Sequence, residues 1–251
     1  SVTDSSGIFR QKVGDDWYAF TQFEAISARR AFPCFDEPTY KVPWQVTLHV
    51  NKELMALSNT AATGETEEAG GMKAVTFAET RPLPSYLVAF AVGPFETVDA
   101  GKVGKAPLRI ITPRGHAAEA RYAAEVTGPI LERLETYFGI PYPYDKLDSI
   151  AVPQFGGAME NPGLITYAMG IILQKPDAET IRGKRGYADI AAHEMAHQWF
   201  GDYVTTDWWN DIWLNEAFAN WMGAKVIREW QPTWGLDVDM VTSRSGAMEG
   251  D

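Results

Sequence analysis

Two of the chain's four histidines, His193 and His197, stand four residues apart in AAHEMAHQWFGDY (191–203), and Glu194 directly follows the first. At 3.6 residues per turn, positions i and i+4 lie above one another on a helix, so both imidazoles can converge on one point. A metal ion is the occupant such a point suits. Catalytic zinc takes three protein ligands and keeps a position for water, so a third partner must come from elsewhere. Glu216, nineteen positions after His197, is the best placed. The interval leaves room for one helix to end at Gly201, for YVTTDWWND to cross over and for a second helix to pack against the first. Glu194, beside the ligands without being one, is then positioned to take a proton from a water whose pKa the metal lowers to about 7, and to hand it to the leaving group.

An ordinary helix could also carry His-Glu-x-x-His. The segment IAAHEMAHQWF is otherwise apolar, however, and burying two histidines and a glutamate without partners is costly. Calcium and magnesium want oxygen ligands, and a two-histidine iron centre would leave Glu194 without a role. The expectation is one Zn2+ per chain. Asn215 and Asp211 are both open as partners that hold a ligand histidine in its tautomer. His49 and His116, in the strand region and a loop, read as structural or solvated. Cys34, the single cysteine, excludes an internal disulfide and a cysteine zinc site; in RRAFPCFDEP it reads as a buried packing residue.

The elements that must position these residues fall into two halves. From about Trp17 to Glu96 the chain reads as strands and turns: WQVTLHV alternates, SYLVAFAVG is a short apolar run, and Glu65 to Gly71 reads as a solvated hairpin loop. GKVGKAP (101–107) marks a boundary. Beyond it, Tyr122, Val126, Ile130, Leu134 and Phe138 form one apolar helix stripe, which Pro129 should kink and Gly139 should end. DSIAVPQF and GLITYAMGIIL read as strands around the glycine-rich GGAMENPG, followed by helices over 188–200 and 212–230. Strands followed by helices make the class α+β. Seven of the nine tryptophans lie between Trp199 and Trp234, and most are expected to pack the two metal helices.

The 251 residues carry a formal charge of -11, which argues against nucleic acid as partner and suits a site for a cation or an amine. No apolar run reaches the roughly 18 residues that span a bilayer, and the first residues lack the pattern of a signal peptide. A lone cysteine is compatible with cytoplasm, periplasm and secretion alike. Oligomeric state leaves no signature.

HEMAHQWFGDYVTTDWWNDIWLNEAFANWM (193–222) resembles the zinc site of the aminopeptidase N family of gluzincin metallopeptidases. That family has its third ligand at the spacing of Glu216 and a Gly-Ala-Met-Glu-Asn motif, here Gly157, Ala158, Met159, Glu160 and Asn161. QFEAISARRAFPCFDEP (22–38) resembles its β-rich N-terminal domain, in which a glutamine matching Gln22 contacts the substrate's amino end. The resemblance implies a saddle-like β domain portion over 1–103 and a thermolysin-like catalytic portion over 104–251. It implies peptide substrates with a free N-terminal amine and release of one amino acid per turnover. Glu160 would hold the ammonium by a charge-assisted hydrogen bond with Gln22 as a neutral acceptor beside it, and the backbone of Gly156 to Ala158 would let an extended peptide pair like an added strand.

The family's oxyanion-stabilising tyrosine falls beyond Asp251, as does its helical C-terminal domain, so the chain reads as a fragment. It is expected to bind zinc yet turn over poorly alone, since an oxyanion donor is worth about a hundred- to a thousandfold. Two rival readings are a zinc-binding scaffold without chemistry and a bifunctional relative that also opens an epoxide. The form of the glycine-rich motif favours the plain aminopeptidase, and the intact set His193, Glu194, His197, Glu216 and Glu160 speaks against the scaffold.

Overall fold

The computed structural model describes residues 5–235, and these form a mixed α+β structure. In the first part, β1 (Gly7–Val13) and β2 (Asp16–Gln22) make an antiparallel hairpin. β4 (Met55–Ser58) and β7 (Phe90–Gly93) extend it into a four-stranded sheet of order β1-β2-β7-β4. A second sheet holds β3 (Thr47–Asn51), β6 (Met72–Phe77) and β5 (Ala62–Glu68). The acidic tract differs from expectation here: Glu65, Glu67 and Glu68 belong to the exposed edge strand β5, and only Ala69–Gly71 turn. Cross-strand partners explain it, because Lys73 forms an ion pair with Glu65 and the His49 ring is hydrogen-bonded to Glu68, each at 2.9 Å. SYLVAFAVG likewise divides into a turn of 3-10 helix over Ser85–Leu87 and the strand β7.

The second part is built on a five-stranded sheet of β8 (Phe95–Val103), β9 (Ala106–Pro113), β10 (Leu147–Val152), β11 (Ala158–Met159) and β12 (Leu164–Ala168), in the order β11-β12-β10-β9-β8. β10 runs parallel to both neighbours, and the edge strands are antiparallel. Such a centre must be covered on both faces. Leu147 and Ala151 join the helical core, whereas Ile150 and Val152 meet Phe9, Phe20, Leu57 and Ala91 from the four-stranded sheet. The expected division at 103/104 falls in the turn of the β8–β9 hairpin, so both strands of that hairpin share one sheet.

α1 (Arg121–Phe138) carries the expected stripe, runs through Pro129 and ends at Gly139 in the left-handed conformation, φ 63°. Residues 169–172, read as strand, form the single turn α2 (Met169–Ile172). α3 spans Ile181–His197, starting seven residues before the expected 188. Its first half, IRGKRG, is charged and glycine-rich and hides the apolar period, but Thr180 caps it by accepting from the Gly183 amide. α4 (Ile212–Trp230) matches its expected span. The tryptophans divide more evenly than expected. Trp199 is buried and Trp230 and Trp234 lean on the core, whereas Trp208, Trp213 and Trp221 are 43%, 60% and 49% exposed. Trp213 and Trp221 lie on a side of α4 apart from its buried stripe of Asn215, Ala219, Met222 and Val226.

Candidate active site

α3 and α4 bring the predicted ligands together. His193 Nε2 lies 3.1 Å from His197 Nε2 and 3.3 Å from Glu216 Oε2, and His197 Nε2 lies 3.7 Å from Glu216 Oε1. One ligand atom from each residue falls within 4.8 Å of the others, a group able to hold a metal ion. The approach depends on Gly223 of α4, where a Cβ would stand 3.0 Å from the His193 amide nitrogen and 3.3 Å from its Cα. Just beyond α3, Gly201 adopts φ 132°, and a Cβ there would meet His197 Nδ1 at 2.9 Å. His197 Nδ1 instead lies 3.2 Å from the Phe200 carbonyl; donating its proton there leaves Nε2 with a lone pair toward the centre. Neither expected partner has that role. Both amide atoms of Asn215 are buried without a hydrogen bond, and Asp211 is exposed at the start of α4.

The chemistry of this donor set fits zinc: two imidazoles and a carboxylate, with a further carboxylate at hand. Burial, then the neighbouring His193, holds the His197 imidazole down to about 4, so it is neutral and able to ligate at physiological pH. A hydrogen bond from His193 leads the causes that lower Glu216. Glu194 is 6% exposed, its Oε1 stands 3.9 Å from His193 Nε2, and its Oε2 has no hydrogen-bond partner. Burial, reinforced by Glu160, Glu216 and Glu24, pushes its carboxyl well above the usual range. An uncompensated buried carboxylate is expensive unless something arrives to use it.

The glycine-rich motif lies beside this group. Glu160 is 3% exposed; its Oε1 is unpartnered and 4.0 Å from His197 Nδ1. Its backbone, by contrast, is fixed. Gln198, the residue after the second histidine, donates from Nε2 to the Glu160 carbonyl at 2.6 Å and to Asp202 Oδ2 at 3.0 Å, while its Oε1 accepts from the Gly163 amide and the Tyr142 hydroxyl. Asn59 donates to the Pro162 carbonyl at 2.9 Å, and Lys41 reaches over to the carbonyls of Asp202 and Tyr203. Asn161 is buried with an unpartnered Nδ2.

From the end of β2, Gln22 Nε2 lies 3.2 Å from Met159 Sδ, and Gln22 Oε1 is buried without a partner. Two residues later stands Glu24, which sequence reasoning passed over. One oxygen each from Glu24, Glu160 and Glu216 lies within 4.8 Å of the others. Burial and then the fields of Glu160 and Glu216 push Glu24 up to about 8; burial foremost raises Glu160 to about 7. Glu24 stands in the turn just beyond β2, where no strand period marks it in the sequence. Gly157 and Ala158, with Asp189, Ile190, His193, Glu194, Asn220 and Ala224, line a cleft of about 400 Å³, and Ala158–Met159 is an edge strand paired only with β12 among the described residues. Among those residues, no helix is long and apolar enough to cross a membrane.

Comparison with known proteins gives family matches over both halves of the chain. The peptidase family M1 domain matches residues 122–251, and the peptidase M1 N-terminal domain matches residues 2–87. Aminopeptidase M1-C of Oryza sativa subsp. japonica is 40% identical over 234 residues, covering 93% of this chain and 26% of that protein. Puromycin-sensitive aminopeptidase of Caenorhabditis elegans is 44% identical over 217 residues, 85% of this chain and 23% of its own length. The mitochondrial aminopeptidase 2 of Saccharomyces cerevisiae is 40% identical over 244 residues, 94% and 25% respectively. The chain thus spans about a quarter of the length of these relatives.

Proposed function

The chain belongs to peptidase family M1, with that family's N-terminal domain preceding its catalytic domain, and from this premise we propose that it is the zinc-binding core of an aminopeptidase that hydrolyses the first peptide bond of peptides with a free N-terminal amine. The observation that carries the reading is the convergence of His193, His197 and Glu216 next to the unpartnered carboxylate of Glu194. His193 and His197 through Nε2, and Glu216 through its carboxylate, would hold Zn2+. When bound, zinc supplies Lewis acidity, polarising a carbonyl and bringing the pKa of water toward about 7.

The protein's own groups do the rest. Glu194 takes a proton from water and returns it to the departing amine, acting as base and then acid; a carboxyl held high by burial suits both tasks. Glu160 and Glu24 receive the substrate's ammonium, their negative charge relieved by its positive charge, and the Gln22 oxygen accepts a further hydrogen bond. Because two carboxylates close that end, a peptide enters amine first and only its terminal residue passes the water. The outer edge of Ala158–Met159 gives the extended peptide a strand to pair with, over the cleft lined by Gly157 and His193.

The test is zinc content together with hydrolysis of alanine and leucine anilides, before and after chelation, on the chain and on Glu194→Gln. One zinc per molecule in both, and hydrolysis that needs both zinc and Glu194, is the expected result. Stoichiometric zinc in His197→Ala would remove the ligand set, and undiminished hydrolysis by Glu194→Gln would remove the base.

A further inference from the structure

Glu160 stands on main chain that the sheet does not hold. The ladder between β11 and β12 ends at the pair Met159 and Thr166, one residue short of it. Glu160 Oε1 has no hydrogen bond, so the place of the carboxylate follows from where its backbone is fixed. Residues 160–163 carry the chain back toward β12. The far half of this loop is held by the fold around it: Asn59 donates to the Pro162 carbonyl at 2.9 Å and Lys146 to the Gly163 carbonyl at 2.6 Å. The near half depends on α3. The side-chain amide of Gln198 bridges the loop, Nε2 donating to the Glu160 carbonyl at 2.6 Å and Oε1 accepting from the Gly163 amide at 3.3 Å. A carbonyl can only accept and a backbone amide can only donate, so the side chain has one orientation. Asp202 Oδ2 takes the second Nε2 hydrogen at 3.0 Å, and Asp202 is itself tied back to α3 by its amide on the His197 carbonyl and to the β-rich part by Lys41 on its own carbonyl. Gln198 and Asp202 are both fully buried.

We propose that Gln198 is a positioning residue for amine recognition: it sets where the Glu160 carboxylate stands relative to the two histidines of α3. The role rests on the amine pocket proposed above. Gln198 directly follows His197, so the helix that carries two of the proposed zinc ligands also carries the prop for the proposed amine anchor, and the two are joined by a single side chain. Removing that side chain leaves two buried main-chain groups, the Glu160 carbonyl and the Gly163 amide, without these bonds. Since Asn59 and Lys146 still hold Pro162 and Gly163, the shift falls on Glu160. A charge partner is effective only when its place is held within about 0.5 Å, so a loop that is free to relax at Glu160 keeps the carboxylate but loses its aim.

The experiment measures binding of L-leucinamide to the zinc-loaded chain by calorimetry, for the unaltered protein, Gln198→Met, Glu160→Gln and the double variant. Methionine keeps the length of glutamine and removes its donor. With zinc still at one per molecule, Gln198→Met should weaken leucinamide by about tenfold. The affinity for N-acetyl-L-leucinamide, which has no ammonium, should be the same for both proteins. In the Glu160→Gln background the same substitution should change leucinamide affinity by less than about twofold, because a residue that acts through Glu160 has nothing left to place. Gln198→Asn, which stays polar but is a methylene too short to bridge the loop, should behave like Gln198→Met and carries the test if the methionine variant fails to take up zinc. Leucinamide affinity unchanged in a zinc-loaded Gln198 variant, or an equal loss with and without Glu160, overturns the role. Binding that needs Glu160 but not Gln198 removes this role alone. No leucinamide binding by the unaltered chain, or binding indifferent to Glu160→Gln, removes the amine pocket and this role with it.

Discussion

The protein buries carboxylates in two places and treats them in opposite ways. Asp148, at the centre of the five-stranded sheet, is fully buried, yet it takes two hydrogen bonds of 2.6 Å from Arg109 and one of 2.9 Å from Lys146, which also donates to the Gly163 carbonyl. Its carboxyl stays below the usual range although burial pushes the other way, because the Lys146 charge and the Arg109 guanidinium outweigh burial. Glu160 and Glu194 are almost as deeply buried, but among the described residues neither is paired with a lysine or arginine and each keeps an oxygen unpartnered. The first arrangement is complete within the fold. The second is complete only with something added, and that incompleteness distinguishes a site from a scaffold.

The contrast breaks most visibly on the Asp148 side. Asp148→Ala strands the buried Lys146 ammonium and frees the half-buried Arg109, and should lower stability by about 3–5 kcal/mol, read from urea unfolding. A loss under about 1 kcal/mol would mean that the triad is no more self-contained than the site. On the other side, Glu194→Gln should cost about a hundred- to ten-thousandfold in kcat with zinc content unchanged and stability no lower, because it removes a charge the fold does not need. Next in size, Glu160→Gln should reduce kcat/KM on amino-acid anilides by about ten- to a hundredfold, the worth of a charge-assisted bond, and an effect confined to kcat would contradict a role in amine recognition.

The smallest effect concerns pH, and without metal its sign follows from the shifts. Glu24, raised from 4.5 to about 8, binds more protons folded than unfolded, so its contribution is present at low pH and is lost as pH rises toward 8. His197, lowered from 6.5 to about 4, works the other way, but only below 6.5. Between pH 6.5 and 8 the metal-free protein should therefore lose stability on the order of 1 kcal/mol, after allowance for partial solvent screening, and Glu24→Gln should flatten that slope. A rise over the same interval in the unaltered chain would contradict the assignment.

How far the site was legible depended on how local its logic is. The i, i+4 histidines and the apolar stripe of α1 declare themselves through helix period alone, and Glu216 follows from the room needed for a crossing between helices. The start of α3 was hidden because IRGKRG owes its helix to the Thr180 cap and to continuity with the apolar half, not to its own pattern. β5 was masked by acids that only cross-strand partners make tolerable. Glu24 was hidden for a different reason. It lies 136 positions from Glu160 and joins it only when the end of β2 meets the glycine-rich motif, a juxtaposition that no periodicity encodes. Gln198 was similarly silent, since its four hydrogen bonds reach backbone and side chains brought in from three separate segments.

The missing side chain of Gly223 has a consequence for how the molecule comes apart. Two of the proposed ligands travel on α3 and the third on α4, and the close backbone approach at Gly223 lets the third arrive. Metal affinity is thus a gauge of helix docking, with the histidine pair as the fixed jaw and Glu216 as the moving one. Loosening α4 would weaken the ion's hold before any strand has parted, so loss of metal under mild denaturant becomes an early warning of unfolding.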